Sequence, residues 1–309
     1  MNSIKLSKLI NLKEPILILG NSGTGKTHLA KKIHEQSNSH QQELIHVNIS
    51  SLCENLFESE LFGHVKGSFS GALTDKIGFF EKVGSGTIFL DEIGELNLSL
   101  QVKLLTVIET GEYYPVGSVY KKKFSGRIIF ATNKNLVEEV EQGRFREDLY
   151  FRIRFYQVEL KNLSEKYDKI EIIMKAIADI KAKCKSQLCI SEDVLNILFN
   201  YHWPGNYREL YNTLTYMFNI AEMRIKLSDI PSWININSEK VQILKEHKDY
   251  SKALMEFEKK FIILSLLKYN GRVVETANNI GISKVTLISK LKKYDIDRRQ
   301  YKNTNIMVG

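Results

Sequence analysis

An eight-residue segment near the start of the chain, residues 20–27, has the residue types and spacing of a phosphate-binding loop. Its glycines let successive backbone N–H groups close around an anion, and a helix that follows adds its N-terminus. An apolar run before the loop predicts a strand, and the residues after it predict a helix. Within the loop, the lysine would reach the β- and γ-phosphates of a nucleoside triphosphate, and the last threonine would hold Mg²⁺. The loop residues are Gly20, Asn21, Ser22, Gly23, Thr24, Gly25, Lys26 and Thr27.

A second apolar run, Thr87 to Leu90, ends in the adjacent carboxylates Asp91 and Glu92. A buried strand in this place would deliver Asp91 to the Mg²⁺ shell, where Glu92 can orient the water that attacks the γ-phosphate. Alone, the first motif could be a glycine-rich turn that binds nothing, and two acids at a strand end occur by chance. Together they predict a site that binds and hydrolyses a nucleoside triphosphate.

The elements that must position these residues follow from the hydrophobic pattern. From about residue 13 to 160, short apolar runs alternate with helical patterns, which is typical of a parallel sheet covered by helices. From about 165 to 230 the period is helical throughout, and the stretch 232–250 is polar and predicts a linker. Three scattered cysteines fit neither a disulfide framework nor a zinc cluster, and no apolar run is long enough for a membrane span. We therefore expect a protein of the cytoplasm.

The last 59 residues carry most of the net charge. Of the chain's +8, residues 251–309 hold +7, from twelve Lys and Arg and five Asp and Glu. A basic module on a near-neutral body is typical of nucleic-acid binding, the alternative being a solvated lysine-rich tail.

This basic segment also shows the spacing of a helix-turn-helix. Ala277, Gly281 and Leu287 lie where a small residue, a turn glycine and a core residue are needed, and Ser283 is a natural N-cap. The second helix would enter the major groove of double-stranded DNA. The residues expected to face base edges are Lys284, Thr286 and Ser289, and those expected to contact phosphates are Arg272, Lys290, Lys292 and Lys293. The alternative is a helical dimerisation domain with a basic face.

With these motifs in place, the chain resembles the bacterial enhancer-binding proteins, AAA+ ATPases that activate the sigma-54 form of RNA polymerase. The stretches that carry the resemblance are GNSGTGKT (20–27), ESELFGHVKGSFSGA (58–72), GTIFLDEIGEL (86–96), RIIFATNKNL (127–136), GRFREDLYFRI (143–153) and WPGNYREL (203–210). The C-terminal module looks like the Fis-type domain of this family. In build the chain looks like the stand-alone members without a receiver domain, such as the phage-shock activator.

The resemblance implies an α/β fold, with a P-loop ATPase core of parallel strands and helices on both faces. It also implies an α-helical lid and an all-α helix-turn-helix domain. The implied domains are the AAA+ core (1–162), the AAA+ lid (163–231), the linker (232–250) and the Fis-type DNA-binding domain (251–309).

Further site residues are implied by the resemblance alone. The loop that contacts sigma-54, GAFTGA in the family, corresponds here to Gly67, Ser68, Phe69, Ser70, Gly71 and Ala72. It departs from the family pattern with Ser68 for Ala and Ser70 for Thr, and it retains the aromatic residue. Asn48 would hold Glu92 away from water until this loop is engaged. Arg146 and Arg152 match the arginine fingers that reach a neighbouring subunit. Thr132 and Asn133 match the first sensor position. Arg208 matches the second sensor, in the lid, where it would respond to the γ-phosphate.

The resulting hypothesis is a sigma-54-dependent transcriptional activator. It would bind an upstream DNA site as a dimer and assemble into a ring, a hexamer in the family pattern. The ring would use ATP and Mg²⁺ to remodel the closed polymerase complex. A regulatory protein partner is expected by analogy only. The main alternative is a helix-turn-helix regulator of similar build that no longer contacts sigma-54. Another AAA+ machine, such as a helicase loader or an unfoldase, is disfavoured by residues 58–72 and by the C-terminal module.

Overall fold

The computed structural model describes residues 9–10, 12–51, 54–234 and 250–301. By its internal contacts the chain divides into two compact units, Met1–Asn162 and Leu163–Gly309. Residues 235–249, which make up most of the predicted linker 232–250, lie outside the described residues. In the part of the chain that is described, no helix has both the length and the apolar character needed to cross a membrane.

The first unit is built around a five-stranded sheet in which every pairing is parallel. Along the sheet the strand order is β2-β3-β6-β1-β7, and β4 and β5 form a separate antiparallel pair. In chain order the strands are β1 (Ile16–Leu19), β2 (Leu44–Asn48), β3 (Thr87–Asp91), β4 (Glu112–Tyr113), β5 (Lys122–Lys123), β6 (Arg127–Thr132) and β7 (Tyr156–Glu159). The helices are α1 (Lys26–Glu35), α2 (Glu54–Phe62), α3 (Phe79–Lys82), α4 (Leu98–Thr110), α5 (Leu136–Glu141) and α6 (Glu147–Ile153).

The central strands β3 and β6 are buried along their whole length, as their continuous apolar sequences predict. Successive side chains leave the sheet on opposite faces, and each face has its own core. Leu17, Ile88 and Phe130 pack on one side, while Ile18 and Phe89 pack on the other. Both faces of the sheet are therefore covered, and the predicted α/β fold is confirmed.

The second unit is helical. Its elements are α7 (Lys169–Lys183), α8 (Glu192–Asn200), α9 (Asn206–Ile220), α10 (Tyr250–Lys268), α11 (Val273–Asn279) and α12 (Lys284–Lys293), with the short parallel pair β8 (Cys189–Ile190) and β9 (Arg224–Ile225). Trp203 is fully buried and its indole N–H donates to the carbonyl of Leu198 at 3.0 Å. The amide oxygen of Asn206 accepts the backbone N–H of Leu163 at 2.8 Å, so the Trp-Pro-Gly-Asn turn joins the start of α9 to the start of the unit.

Candidate functional site

The carboxyl ends of β1, β2, β3 and β6 meet at one edge of the sheet, because neighbouring parallel strands run in the same direction. This edge carries the phosphate loop after β1, Asn48 at the end of β2, Asp91 and Glu92 after β3, and Asn133 after β6. Ligands of open α/β sheets bind outside such carboxyl ends. The predicted phosphate loop and the predicted carboxylates therefore lie at a common site.

Two glycines shape the loop in ways that a side chain would prevent. At Gly20 a Cβ would lie 2.8 Å from the Thr24 hydroxyl oxygen and 3.0 Å from Leu160, too close to fit without movement. Gly25 has φ of 97°, in the left-handed region, and lies at the N-cap position of α1, where it has no side chain that could cap the helix. The first N–H groups of this ten-residue helix lie at its positive end, where an anion binds.

Lys26 is the cation of the loop. Its side chain is only 7% exposed, and its ammonium donates to the carbonyl of Gly20 at 2.9 Å. The same nitrogen lies 3.7 Å from Oε1 of Glu92. Because a buried ammonium needs anionic partners, its place between the loop and a carboxylate suits it to phosphate oxygens.

The oxygen atoms expected to hold Mg²⁺ lie together. The Thr27 hydroxyl is 3.5 Å from Oδ2 of Asp91, whose other oxygen accepts the Glu92 N–H at 3.1 Å. Burial of Asp91 opposes its ionisation. However, its contact with His46 and the charge of Lys26 outweigh burial, so the pKa of this carboxyl lies below its ordinary value. Asp91 is thus an anion at neutral pH, and a hydroxyl beside a carboxylate is a donor set that Mg²⁺ accepts.

Glu92 has a backbone conformation that is rare for a residue with a side chain, with φ of 59° and ψ of 47°. Residues held in this way cluster at functional sites. Its Oε2 accepts the backbone N–H of Asn133 at 3.2 Å, so the Asn133 main chain helps to orient the carboxylate. The site thus brings together two predicted residues from neighbouring strands.

Asn48 lies opposite Asp91 in the register of β2 and β3. Its side-chain oxygen accepts the backbone N–H of Ser50 at 3.0 Å, whereas the contacts of Glu92 are with Lys26 and Asn133. The hydrogen bonds of these described residues therefore do not join Asn48 to Glu92. The Asn48–Glu92 contact stays a prediction.

The predicted arginine fingers lie on the surface of the first unit. Arg146 precedes α6 and makes a two-pronged ion pair with Asp148, with N–O distances of 3.0 and 2.6 Å. Arg152 is exposed in the last turn of the same helix. Arg208, the predicted second sensor, is exposed in the first turn of α9, in the other compact unit.

The predicted sigma-54 loop is a tight turn closed by its own main chain. The N–H of Gly67 donates to the carbonyl of Ala72 at 2.9 Å, and the N–H of Ala72 donates to the carbonyl of Phe69 at 3.0 Å. The Phe69 ring is 39% exposed and rests edge-on against His64, with 5.0 Å between ring centres. Leu73, just beyond the turn, is 80% exposed. An aromatic and an aliphatic side chain are therefore presented to solvent on a compact turn.

The departures from the family pattern differ in their surroundings. Ser70 is exposed, so its hydroxyl is available to a partner. Ser68 instead points against the hairpin of β4 and β5, where a Cβ on Gly117 would lie only 2.5 Å from that of Ser68. The Ser68 hydroxyl oxygen is buried and has no hydrogen-bond partner among the described residues. A buried hydroxyl without a partner costs free energy. This arrangement of the turn is therefore less stable with Ser68 than it would be with the alanine of the family pattern.

The helix-turn-helix forms as predicted. The Ser283 hydroxyl accepts the N–H of Thr286 at 3.0 Å and so caps α12, while Ala277 and Leu287 are buried between the helices. Gly281 has φ of 72°, the left-handed conformation that the turn requires. Exposed side chains along α12 include five of the predicted DNA contacts: Lys284, Thr286, Ser289, Lys292 and Lys293.

The other two predicted DNA contacts are already paired within the chain. Arg272, the N-cap residue of α11, contacts Glu275 at 3.0 Å. Lys290 is half-buried and pairs with Glu258 of α10, which also accepts the hydroxyl of Tyr294. These pairs hold the pKa of Glu258 below its ordinary value, mainly through the Lys290 hydrogen bond. Lys290 thus fastens α12 to α10 rather than reaching into solvent.

One residue of the site was not anticipated from the sequence. His46 of β2 is on the same face as Asn48, two positions before it, and its Nε2 lies 3.6 Å from Oδ2 of Asp91. The two-residue period of a strand is the available sequence signal, because it places His46 on the face of Asn48, but it does not indicate the contact with Asp91.

Comparison with known proteins covers both units. The family models that match are described as Sigma-54 interaction domain (residues 2–159), AAA+ ATPase lid domain (residues 164–246) and Bacterial regulatory protein, Fis family (residues 253–294). The chain is 37% identical to nitrogen fixation protein AnfA of Azotobacter vinelandii, over 96% of this chain and 56% of AnfA. It is 34% identical to response regulator protein PilR of Pseudomonas aeruginosa, over 95% of this chain and 67% of PilR.

Among solved structures, NtrX of Brucella abortus in complex with ATP superposes with a TM-score of 0.67 at 26% identity, over 95% of this chain and 66% of that one. The chain spans little more than half the length of several curated relatives that it matches. Since the Sigma-54 interaction domain matches half of the chain and the identity to relatives extends over nearly all of it, the chain belongs to the sigma-54-dependent AAA+ transcriptional activators.

Proposed function

We propose that this protein is a ring-forming ATPase that binds upstream DNA and couples ATP hydrolysis to remodelling of the closed complex of sigma-54 RNA polymerase. The observation that carries the proposal is the convergence of Lys26, Thr27, Asp91 and Glu92 at one edge of the sheet. The similar NtrX of Brucella abortus has a structure in complex with ATP, which supports nucleotide binding by this chain.

Each residue of the site has a distinct role in the proposed hydrolysis. The loop amides and Lys26 bind the β- and γ-phosphates of ATP. The amides are hydrogen-bond donors, and Lys26 supplies the positive charge beside them. Thr27 and Asp91 would hold Mg²⁺, which supplies charge compensation to phosphate oxygens. Glu92, held by the Asn133 N–H, orients the attacking water and accepts its proton.

The proposed ring supplies the remaining positive charge. A guanidinium is always charged and forks onto phosphate oxygens, so Arg146 and Arg152 can complete the site of an adjacent subunit. Both are exposed, and the partner of Arg146 is the solvent-accessible Asp148. An exposed ion pair is weak, so exchange of Asp148 for a phosphate costs little.

A mixing experiment tests this supply of arginine by a neighbour. Arg146→Ala should lower ATP turnover by about 10³-fold or more, since a trans arginine contributes that much in phosphoryl transfer. Lys26→Ala should also be inactive, yet its subunits still offer Arg146 to a neighbour. Mixing the two inactive variants should therefore restore turnover, measured as phosphate release, and wild-type turnover per subunit should rise with protein concentration.

The matched control is Arg154→Ala. Arg154 is an exposed arginine of the same segment, lying over the rings of Tyr150 and Phe151 at 5.2 and 5.1 Å, and its loss should leave turnover near wild type. If the mixture stays inactive and wild-type turnover per subunit does not depend on concentration, Arg146 does not act in trans.

Measurements of DNA binding by variants of the full chain should distinguish residues that contact phosphates from residues that contact bases. Lys292 is exposed, so Lys292→Ala should weaken binding to all duplexes about equally and reduce the slope of log affinity against log salt by about one. Thr286→Ala should instead reduce discrimination between sites, by about 1–3 kcal/mol for a lost base contact. Fluorescence anisotropy with labelled duplexes at several salt concentrations measures both.

Lys290 is a poor choice for this experiment because its loss also breaks the ion pair with Glu258 that joins α12 to α10. The control is Lys175→Ala, an exposed lysine on α7, which should change neither affinity nor slope. Identical behaviour of the Lys292 and Lys175 variants would exclude α12 as the DNA-contacting helix.

A further inference from the structure

His46 stands out because nothing in the proposed hydrolysis uses it, although it faces the metal-binding carboxylate. Its Nε2 lies 3.6 Å from Oδ2 of Asp91, the same oxygen that is 3.5 Å from the Thr27 hydroxyl. The ring stacks on Phe89, with centres 4.8 Å apart and an angle of 27° between the planes. The imidazole is therefore held in place by a buried aromatic residue of the neighbouring strand.

The distance between His46 and Asp91 leaves room for a cation beside both side chains. At 3.6 Å the nitrogen and the oxygen are farther apart than in a normal N–H···O bond. Donors that each bind one octahedral ion at about 2.1 Å lie about 3.0 Å apart when they are adjacent in its shell. The imidazole and the carboxylate therefore need to approach each other by only about half an ångström to contact a single ion. The side chain of His46 is 37% exposed, which leaves its nitrogen accessible to an ion from solvent.

We propose that His46 supplies a nitrogen ligand to the divalent cation of the nucleotide site, beside the oxygens of Asp91 and Thr27. The proposal rests on the ATP site proposed above and gives that site a ligand of another chemical class. Imidazole suits first-row transition ions, whereas an all-oxygen set suits Mg²⁺. The site should therefore accept Mn²⁺ or Co²⁺ in addition to Mg²⁺, with a preference that depends on His46.

Pulsed electron paramagnetic resonance of the full chain tests this directly. Mn²⁺ is added with a non-hydrolysable ATP analogue, and coupling of the electron spin to a directly bound ¹⁴N is measured. Wild type should show this coupling, and labelling its histidines with ¹⁵N should convert it to the ¹⁵N pattern without any substitution. His46→Asn should lose the coupling, while His40→Asn, at an exposed histidine after α1, should retain it.

Metal affinity gives a second readout that is independent of turnover. In the presence of the same analogue, His46→Asn should weaken Co²⁺ binding by roughly tenfold or more, as measured by calorimetry. Mg²⁺ binding should change much less because oxygen donors dominate its shell. His40→Asn should leave both affinities unchanged.

The possible failures can be told apart. Mn²⁺ that binds together with the analogue but shows no nitrogen coupling in wild type would overturn the role of His46 alone. Equal losses of Co²⁺ and Mg²⁺ affinity in His46→Asn would also overturn it, because they indicate a general disturbance of the site. If the analogue and Mn²⁺ fail to bind to wild type at all, the proposed ATP site is wrong, and the inference falls with it.

Discussion

Replacing Lys26 with alanine is expected to weaken ATP binding by about 100-fold or more. The side chain is 7% exposed and its ammonium lies between the Gly20 carbonyl and Glu92, so it is held where phosphates must bind. Hydrogen bonds between charged groups contribute about 1.5–3 kcal/mol each, and about 2.7 kcal/mol corresponds to 100-fold in affinity. Displacement of a fluorescent nucleotide from the full chain measures the change.

Two further variants show whether the loss is specific. Lys31→Ala removes an exposed lysine from the same helix and should bind ATP as wild type does. Glu92→Gln should retain binding but lose hydrolysis, because the amide cannot accept the proton of the attacking water. If Lys26→Ala binds nucleotide as tightly as Lys31→Ala does, the phosphate loop is not part of the nucleotide site.

Much of the first unit could be predicted because its parallel sheet is buried on both faces. Its central strands are continuous apolar runs, and the short runs beginning at Ile16, Leu44, Thr87, Arg127 and Tyr156 all form strands of the sheet. Chemical groups that follow these runs must then meet at one edge. The convergence of the phosphate loop with Asp91 and Glu92 therefore follows from local patterns alone.

Residues whose roles depend on a distant partner were not predictable in this way. Nothing near Lys290 in the sequence indicates that Glu258, on a helix two elements earlier, neutralises it. His46 reads as one polar residue of an edge strand, and its closeness to Asp91 appears only when β2 and β3 are placed in register. Three-dimensional pairing thus decides which lysine is free for DNA and which imidazole faces the metal site.

Replacing Phe69 with alanine is expected to reduce capture of sigma-54 by at least about tenfold and to leave ATP turnover intact. Complete burial of a large apolar side chain contributes about 1.5–3 kcal/mol, and about 1.4 kcal/mol is already tenfold. The ring is 39% exposed and packs on His64, so truncation removes both the surface that a partner covers and the contact that holds the turn. The cost of such a truncation includes this reorganisation, which adds to the loss from the exposed part alone. The measurement is co-elution with sigma-54 in the presence of ADP and aluminium fluoride, which mimics the transferring γ-phosphate.

Two control variants show whether a loss of capture is specific to the turn. Tyr167→Ala removes an aromatic side chain that is 85% exposed in the second unit and should leave capture unchanged. Ser68→Ala removes the buried hydroxyl that lacks a partner among the described residues and restores the family's residue. It should stabilise this form of the turn by about 1–3 kcal/mol without abolishing capture.

The result for wild type decides between the two candidate functions. Capture by wild type and by Tyr167→Ala, but not by Phe69→Ala, supports a turn that contacts sigma-54 through its aromatic ring. Failure of wild type to capture sigma-54, with ATP turnover intact, would instead favour a helix-turn-helix regulator that no longer uses this polymerase. If the Ser68→Ala variant then captures sigma-54, Ser68 is the cause of the failure of wild type to capture it. The buried hydroxyl would in that case be the physical reason why the turn no longer takes the form that sigma-54 recognises.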